Sequence, residues 1–571
     1  MPRLVFTPSG RTVEVAPGTS LLDACRQAGF FLPSPCGGAG LCGKCRVRIV
    51  AGEPLPAGRP EPRLSREEVA AGWRSSCLLS GYGDLVLADP GGGGDGVALG
   101  EFLTRPLRGK SGLWEREAIP PPPSEADRRD DQARLLGALG GEDLEMELPL
   151  LAELPGLLRR SGFRCRALGL GRRVLSIRGA GGGSAGPRLG LAVDLGTTTL
   201  AGVLCDLDRG GVLAAIGREN PQRRHGDDVI SRIEYASRGE WELAELGRLA
   251  GGAIEELAAA ATAAAGLESG PILVGVAGNP AMIHLLLGLP PGELAKSPFV
   301  PVAREFRPVS ADRLGWRGRN PPLALTVPGV SAFVGGDLVA GLLAHDLDRL
   351  EGSTLFLDIG TNGEAALAAG GKILACAAAA GPAFEGARIA QGMRAAPGAV
   401  CSIRLGPGGG FAAGVIGGAP AAGLCGTGLL DAVAALRRAG IIDPGGRLLS
   451  RGEAAGELPG LSRELAGRLH ENPEGTAFWL VPPDPAGMGG VALTQADVRE
   501  FQLAKGALAA GIRLLLATAG VRPEALDRVL LAGGFGSYLD PASALATGLL
   551  PAGVPGGRVR PVGNAALAGS R

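Results

Sequence analysis

Residues 189–200, LGLAVDLGTTTL, and residues 354–364, TLFLDIGTNGE, decide the fold of this chain. In each stretch, an apolar run predicted as a buried strand ends at an aspartate, and a glycine turn leads into a second apolar run. The two turns, Asp194–Thr199 and Asp358–Gly363, lie 164 positions apart. Self-similarity at that spacing indicates a duplicated α/β fold whose second copy begins near residue 352.

Each turn has the chemistry of a phosphate-binding hairpin. Gly196 and Gly360 permit a tight turn and leave backbone N–H groups free to face an anion. Polar side chains that could add hydrogen bonds to phosphate oxygens follow them: Thr197, Thr198, Thr361 and Asn362. Asp194 and Asp358, at the strand ends, are predicted to organise Mg²⁺ through water and to orient the attacking water. A single turn of this kind is weak evidence, whereas two copies together with the strand that ends in Gly533-Gly534 are strong.

A third apolar strand, Arg528–Ala532, ends in Gly533-Gly534. Backbone without side chains lets a flat ligand such as adenine-ribose approach closely, so these glycines are predicted to bind adenosine. The alternative is an ordinary strand and turn. Asp337, in a Gly-Gly-Asp sequence, is a candidate neighbour of the phosphates, and Lys505 either reaches the nucleotide or is solvated.

Four cysteines near the N-terminus form a separate pattern. Cys36, Cys42 and Cys45 lie in one glycine-rich loop with C-x5-C-x2-C spacing, and Cys77 follows 32 positions later. Three thiolates in one loop and a fourth from far away suit a 2Fe–2S cluster, which takes four cysteine ligands. The alternative is a zinc site, which usually has two C-x2-C pairs where this chain has one.

Composition excludes several classes of function. Lys+Arg and Asp+Glu both number 57, so nothing indicates a nucleic-acid partner. We expect no signal peptide and no membrane span, because no apolar run reaches ~18–20 residues without a charge. Ten cysteines in 571 residues do not make a disulfide scaffold. These features predict a soluble, cytoplasmic protein.

Composition shifts divide the chain into four segments. Residues 1–92 are predicted to form the 2Fe–2S domain, and the Gly- and Pro-rich residues 93–123 a linker. Residues 124–186 are predicted to form a small α/β middle domain that is structural or dimerising. Residues 187–571 are predicted to form the duplicated domain, with two lobes.

Two resemblances agree with this division. The N-terminal segment resembles a β-grasp ferredoxin, and the paired turns with Gly533-Gly534 resemble the actin, sugar-kinase and Hsp70-like ATPases (the ASKHA superfamily, with its ribonuclease H-like fold). The chain is most similar to one family, the reductive activators of corrinoid proteins, which join both parts. Motifs along the chain carry this resemblance, among them Asn220-Pro221-Gln222, Gly226–Ile233, Gly278-Asn279, Val334–Asp337, Ala380–Ala387 and Cys425–Asp431.

The resemblance implies an ATP-hydrolysing reductive activase. It would use ATP with Mg²⁺ and pass one low-potential electron from the 2Fe–2S cluster to the inactive Co(II) corrinoid of a partner corrinoid protein or corrinoid-dependent methyltransferase, restoring Co(I). A ferredoxin or flavoprotein would be the upstream reductant, and a homodimer is one option. Three alternatives stay open: an ATP-driven donor similar to the activators of 2-hydroxyacyl-CoA dehydratases, an electron carrier with a non-hydrolysing ATPase scaffold, and a kinase of small metabolites.

Overall fold

The computed structural model describes most of the chain. The described residues are 2–7, 12–28, 45–52, 64, 66–88, 112–141, 143–179, 187–317, 321–360, 362–406, 410–416, 420–473, 475–484, 490–536 and 538–571. Three residues singled out by the sequence lie outside these ranges: Cys36, Cys42 and Thr361.

The N-terminal unit is a five-stranded sheet with a helix packed beside it. Its order is β2-β1-β5-β3-β4, and β1 pairs antiparallel with β2 and parallel with β5, as in a β-grasp fold. Alternating side chains of β1 are buried, so one face of the strand lies in the core. The bounds are Arg3–Thr7 (β1), Thr12–Glu14 (β2), Leu21–Gln27 (α1), Arg46–Ala51 (β3), Arg66–Ala70 (α2), Trp73–Ser75 (β4) and Leu85–Ala88 (β5).

The middle unit is a four-stranded sheet of order β6-β8-β9-β7 with two helices. Its elements are Leu113–Ala118 (β6), Asp131–Ala138 (α3), Glu145–Met146 (β7), Leu148–Arg160 (α4), Cys165–Leu170 (β8) and Arg173–Gly179 (β9). Strand β6 pairs along its whole length with β8. Residues 113–118 were predicted as part of the linker, so that prediction was wrong there: the sheet takes in chain before residue 124.

The first lobe of the duplicated domain is a six-stranded sheet of order β12-β11-β10-β13-β15-β14. Its elements are Leu189–Leu195 (β10), Thr199–Asp206 (β11), Val212–Glu219 (β12), Val229–Ala236 (α5), Glu240–Ala264 (α6), Leu273–Ala277 (β13), Pro280–Leu286 (α7), Val309–Ser310 (β14), Leu323–Thr326 (β15) and Gly336–Ala344 (α8). Strand β10 is buried on both faces, as expected for a strand with a parallel neighbour and helices above it.

The second lobe repeats this plan in a five-stranded sheet of order β18-β17-β16-β25-β26. Smaller sheets and further helices surround it. The bounds are Thr354–Ile359 (β16), Gly363–Ala369 (β17), Lys372–Ala378 (β18), Ala399–Leu405 (β19), Phe411–Val415 (β20), Gly423–Leu424 (β21), Gly426–Arg438 (α9), Arg451–Glu457 (α10), Arg463–Arg468 (α11), Leu469–Asn472 (β22), Gly475–Val481 (β23), Val491–Thr494 (β24), Gln495–Ala519 (α12), Arg528–Ala532 (β25), Gly533–Gly536 (α13), Pro541–Thr547 (α14), Val559–Gly563 (β26) and Ala565–Ser570 (α15).

The two lobes share one topology. In each, three antiparallel strands form a meander, and the first strand of the meander pairs in parallel with a later strand: β10 with β13, and β16 with β25. The chain is thus a multidomain α/β protein with a β-grasp N-terminal domain and a duplicated ribonuclease H-like ATPase fold. Helix α15 follows the last strand of the second lobe and packs against β10 and β13 of the first.

Helix α12 has the length and composition of a membrane span. Its Phe501, Leu508 and Ile512 are buried in the core of the second lobe. The helix lies against β17 and β18 of that lobe's sheet. This packing against the core and the sheet accounts for the apolar residues of the helix.

Candidate functional site

The two predicted turns face one cleft between the lobes. Asp194 ends β10 beside Ala277 of β13, and Asp358 ends β16 beside Ala532 of β25, so the duplication places the carboxylates equivalently. The cleft has a volume of about 790 Å³, the size of a pocket for a small organic ligand. Ten of its lining residues are candidates predicted from the sequence: Asp194, Gly196, Thr197, Thr198, Asp337, Asp358, Gly360, Asn362, Gly533 and Gly534. The fold therefore brings together predicted residues that are up to 340 positions apart in the sequence, Asp194 and Gly534.

Three side chains hold the first turn from behind. The Asn220 amide donates to the carbonyl of Gly196 at 2.8 Å, and the Arg232 guanidinium donates to the carbonyl of Thr197 at 2.5 Å. The Asn279 amide donates to the Thr197 hydroxyl at 3.0 Å. A Cβ at Gly196 would lie 2.5 Å from the carbonyl oxygen of Thr199, so this position requires glycine. The turn is therefore fixed before any ligand arrives.

Acidic side chains converge at the base of the cleft. Burial raises the pKa of Asp194 to about 7 and, together with the charges of Asp337 and Asp194, raises that of Asp358 to about 8. Burial also raises the pKa of Asp337 to about 6 and that of Glu364 well above its usual range. Among the described residues, no lysine or arginine side chain pairs with these carboxyl groups. A bound cation would lower their pKa values and stabilise the ionised carboxylates, so the cluster is suited to a cation.

Three of these acids, Asp194, Asp337 and Asp358, were predicted from the sequence, whereas Glu364 was not. The sequence signal for Glu364 is an acidic residue in the otherwise apolar run Gly363–Ala369. The strand register of the structure places Glu364 directly opposite Asp358. Asn564 was also missed; its amide donates to Asp194 at 2.7 Å from a position 370 residues away. Within the described ranges, no three Asp, Glu, His or Cys side chains are grouped tightly enough to hold a metal ion by themselves. A Mg²⁺ ion here would complete its shell with water and phosphate oxygens.

Ionic and polar contacts join the lobes across the cleft. Arg394 of the second lobe donates to the Glu219 carboxylate of the first at 2.7 Å, and Arg223 donates to the same oxygen at 3.1 Å. The hydroxyl of Thr198 donates to the Glu385 carboxylate at 3.2 Å. The predicted phosphate-binding turn of the first lobe thus contacts a carboxyl group of the second.

The upper wall of the cleft is aromatic. The rings of Phe384 and Phe535 stack with centroids 4.4 Å apart and planes at 15°. Both rings border the same cavity as Gly533 and Gly534. A flat apolar wall beside side-chain-free backbone suits a purine ring. Lys505 is not among the residues that line the cavity and lies beside Gly548, which does not support the interpretation that it reaches the nucleotide.

The N-terminal domain brings two of the four predicted cluster cysteines together. The Sγ atoms of Cys45 and Cys77 lie 3.2 Å apart, too far for a disulfide of about 2.05 Å. Hydrogen bonding with Cys77 lowers the pKa of the Cys45 thiol to about 6 despite its burial. Because thiolates are the ligands of iron, this pair fits a cluster site. Cys25, on α1, is buried in the domain core instead.

Comparisons with protein families cover most of the chain. Residues 5–80 match the 2Fe–2S iron–sulfur cluster binding domain, residues 189–350 match the RACo middle region, and residues 352–571 match the C-terminal domain of RACo, described as the ASKHA domain.

Individual relatives agree with these matches. A solved structure titled reductive activator for corrinoid, iron-sulfur protein is 34% identical, with a TM-score of 0.66, over 100% of this chain and 92% of that one. The corrinoid activation enzyme RamQ of Eubacterium limosum is 34% identical over 67% of this chain and 64% of its own length. A [Co(II) methylated amine-specific corrinoid protein] reductase of Methanosarcina barkeri is 31% identical over 39% of each chain. The chain thus spans less than two thirds of these two curated relatives.

Proposed function

Because this chain belongs to the family of reductive activators of corrinoid proteins, we propose that it is an ATP-dependent reductive activase. It passes a single electron to the inactive Co(II) corrinoid of a partner corrinoid protein or corrinoid-dependent methyltransferase and so restores Co(I). The observation that carries the proposal is the presence on one chain of a cysteine pair fit for a cluster and a cleft built from two phosphate turns.

The electron-carrying part rests on the N-terminal cysteines. Cys36, Cys42, Cys45 and Cys77 would hold the cluster. When bound, a 2Fe–2S cluster supplies single electrons. The lowered pKa of Cys45 supports this assignment, since the thiol is ready to lose its proton to iron near neutral pH. Cys45 directly precedes β3 and Cys77 follows β4, its neighbour in the sheet. The N–H of Ser76 donates to the carbonyl of Cys45 at 2.8 Å, which links the two segments.

The nucleotide part rests on the cleft. Thr197 and Thr198 would bind phosphate oxygens, and Asp194 and Asp358 would hold Mg²⁺ through water and orient the attacking water. The stacked wall of Phe384 and Phe535 would take the adenine. The binding of a divalent cation would relieve the repulsion among the buried carboxylates, so cation and nucleotide should bind together.

Nucleotide binding would supply the energy for an uphill transfer. A gap of ~200 mV against a one-electron transfer corresponds to ~4.6 kcal/mol. Nucleotide can contribute this only by changing the relative affinity of the chain for two states of its partner. The contacts of Arg394 with Glu219 and of Thr198 with Glu385 cross the cleft, so a ligand that fills it would change the angle between the lobes.

Three finer points belong to the same proposal. A ferredoxin or flavoprotein would reduce the cluster, the protein would act in the cytoplasm, and two copies would associate as a homodimer. Described cysteines outside the N-terminal pair, such as Cys165 and Cys205, are free thiols in apolar surroundings, which agrees with a reducing compartment.

The test is ATP-dependent reduction of a corrinoid partner. Under anaerobic conditions, the full chain with its cluster, a chemical reductant and a Co(II) corrinoid protein should give the absorbance of Co(I) with Mg-ATP and little without it. Asp358→Asn should abolish the ATP effect, while Asp348→Asn, an exposed aspartate, should leave it unchanged. Reduction that proceeds equally well without ATP would refute the coupling and leave a plain electron carrier.

A further inference from the structure

Arg232, on helix α5, is a cation buried beside the first phosphate turn. Its residue is 0% exposed, and it is among the largest fully buried side chains described. It donates to the carbonyls of Thr197 and Gly226, to the amide oxygen of Gln222 and to the sulfur of Met282. All four acceptors are neutral. Within the described part of the chain, the guanidinium charge is therefore solvated by dipoles and makes no direct ion pair.

A buried cation of this kind is energetically unfavourable. Burial and, to a smaller extent, the nearby charge of Arg223 lower the pKa of Arg232 to about 9. The carboxylates that counter this act at a distance and without a hydrogen bond to the guanidinium: Asp227, Asp228 and Glu385. An apolar side chain of similar volume would pack at lower cost at such a position. The charge therefore has a use beyond packing.

The bond to Thr197 fixes the direction of one peptide. In a trans peptide, the carbonyl and the following N–H point in opposite directions. Because the Thr197 carbonyl points at Arg232, the Thr198 N–H points away from it. Thr197 and Thr198 line the cleft, whereas Arg232 does not. The dipole of the Thr197–Thr198 peptide thus has its negative end at Arg232 and its positive end, the Thr198 N–H, on the opposite side. We infer that this is the side on which an anion in the cleft would lie.

We propose that Arg232 is a positioning residue for the phosphate groups of the nucleotide. It orients the Thr197–Thr198 peptide towards the phosphates, and its buried charge attracts them through that peptide. The inference rests on the proposed function and adds to it an electrostatic element behind the turn. No contact between Arg232 and the ligand is needed, because a charge in a low-dielectric interior acts over several ångströms.

An electrostatic role has a signature that a structural one lacks. If Arg232 acts on phosphate charge, its removal should weaken ligands in proportion to their phosphates: ATP most, then ADP, then AMP, with adenosine unchanged. We expect about a ten- to hundred-fold loss for ATP in Arg232→Met, the range for a hydrogen-bonded charge. Arg232→Lys should retain part of the ATP preference, since it keeps the charge but loses the planar fork.

Isothermal titration calorimetry on the full chain, with Mg²⁺ and salt held constant, provides the test. Wild type, Arg232→Met, Arg232→Gln and Arg232→Lys are each titrated with ATP, ADP, AMP and adenosine. The matched control is Arg134→Met, another fully buried arginine, which donates to the Pro121 carbonyl at 3.2 Å in the middle unit. Thermal unfolding of each variant gives the folded fraction, and Arg232→Lys carries the test if Arg232→Met does not fold.

The outcomes separate the two levels of the proposal. A graded loss from ATP to adenosine in the Arg232 variants, absent from Arg134→Met, is the expected result. Equal weakening of all four ligands, or no weakening, overturns the role of Arg232 while ATP binding by the wild type still stands. A wild type that binds no ATP overturns the proposed function itself.

Discussion

Gly533 and Gly534 are neighbours at the end of β25, yet substitution should affect them differently. Gly533 has φ +87°, and a Cβ there would lie 2.5 Å from the Asp358 carboxylate and 2.6 Å from the Ile359 carbonyl. Gly534 has no described atom within 4 Å of its Cβ position and no positive φ. Both line the cleft. The sequence predicted one role for both glycines. In the structure, Gly533 leaves no room for a side chain, whereas Gly534 faces open space in the cleft.

The magnitudes follow from these contacts. Gly533→Ala places a Cβ in a left-handed conformation, which costs ~1–2 kcal/mol, and the steric conflict adds ~1–3 kcal/mol. We therefore expect a destabilisation of ~2–5 kcal/mol and displacement of the Asp358 carboxylate. Gly534→Ala should change stability by less than ~1 kcal/mol, since alanine is also the better helix former. Gly534→Val projects bulk into the cleft and should weaken ATP binding without loss of stability.

Thermal unfolding midpoints and ATP titrations on the same preparations measure both effects. Midpoints are compared among variants because a multidomain chain need not unfold in one step. Equal stability of Gly533→Ala and Gly534→Ala would refute the steric reasoning. Undiminished ATP affinity in Gly534→Val would refute the placement of adenosine against this backbone.

Three further predictions concern the acids, the lobe contact and the cluster. Asp358→Asn should raise the unfolding midpoint of the nucleotide-free protein by an amount that grows from about pH 4 to about pH 8. The pKa of Asp358 is raised to about 8 in the folded state, above its unfolded value of ~3.9, so the contribution of the aspartate to stability falls as pH rises through this window. A difference in midpoint that stays constant across pH would contradict this. The side chains of Glu219 and Arg394 are 34% and 38% exposed, so a double-mutant cycle should give a coupling of ~0.2–1 kcal/mol in the free energy of unfolding, which declines with added salt. A coupling energy of zero at low salt would contradict the contact. Ser76→Ala should make the cluster potential more negative, by ~59 mV if the reduction equilibrium shifts tenfold. The Ser76 hydroxyl is buried, lowers the pKa of the Cys45 thiol and has no hydrogen-bond partner among the described residues, so it would be available to stabilise added negative charge on the sulfur of a bound cluster. A redox titration giving the wild-type potential would exclude this.

The duplicated fold was predictable because its signals are local. Each turn directly joins the two strands that flank it, so the whole signal lies in one short stretch of sequence. Buried strands such as β10 and β16 are also continuous apolar runs. Strand β6 was missed for the opposite reason. Leu113–Ala118 lies at the edge of its sheet and carries charges at three successive positions, so it lacks the apolar alternation of a half-buried strand.

The supporting residues of the site could not be predicted in the same way. Asp194 stands in a motif, but Asn564, which donates to it, lies at the other end of the chain. Arg232 stands in a motif too, yet only its burial and its bond to Thr197 show that the side chain lies behind the phosphate turn. Sequence spacing identifies groups that act from one loop, whereas groups that meet through packing are specified by the tertiary structure.

The two turns of the duplicated fold have different surroundings, so they are not interchangeable. Behind the first turn stand neutral amides and the buried Arg232 cation; beside the second stand Asp358 and its strand partner Glu364. Both turns have a buried aspartate, but only the second adds Glu364 and only the first has a buried cation behind it, so on the proposed function we expect phosphate to lie nearer the first turn and a divalent cation nearer the second. A Mg-nucleotide that satisfies both must bridge the lobes and compete with Glu385 for the Thr198 hydroxyl. Under the proposed function, occupancy of the cleft would therefore change the contacts between the lobes, which is what ATP needs in order to influence a partner bound elsewhere.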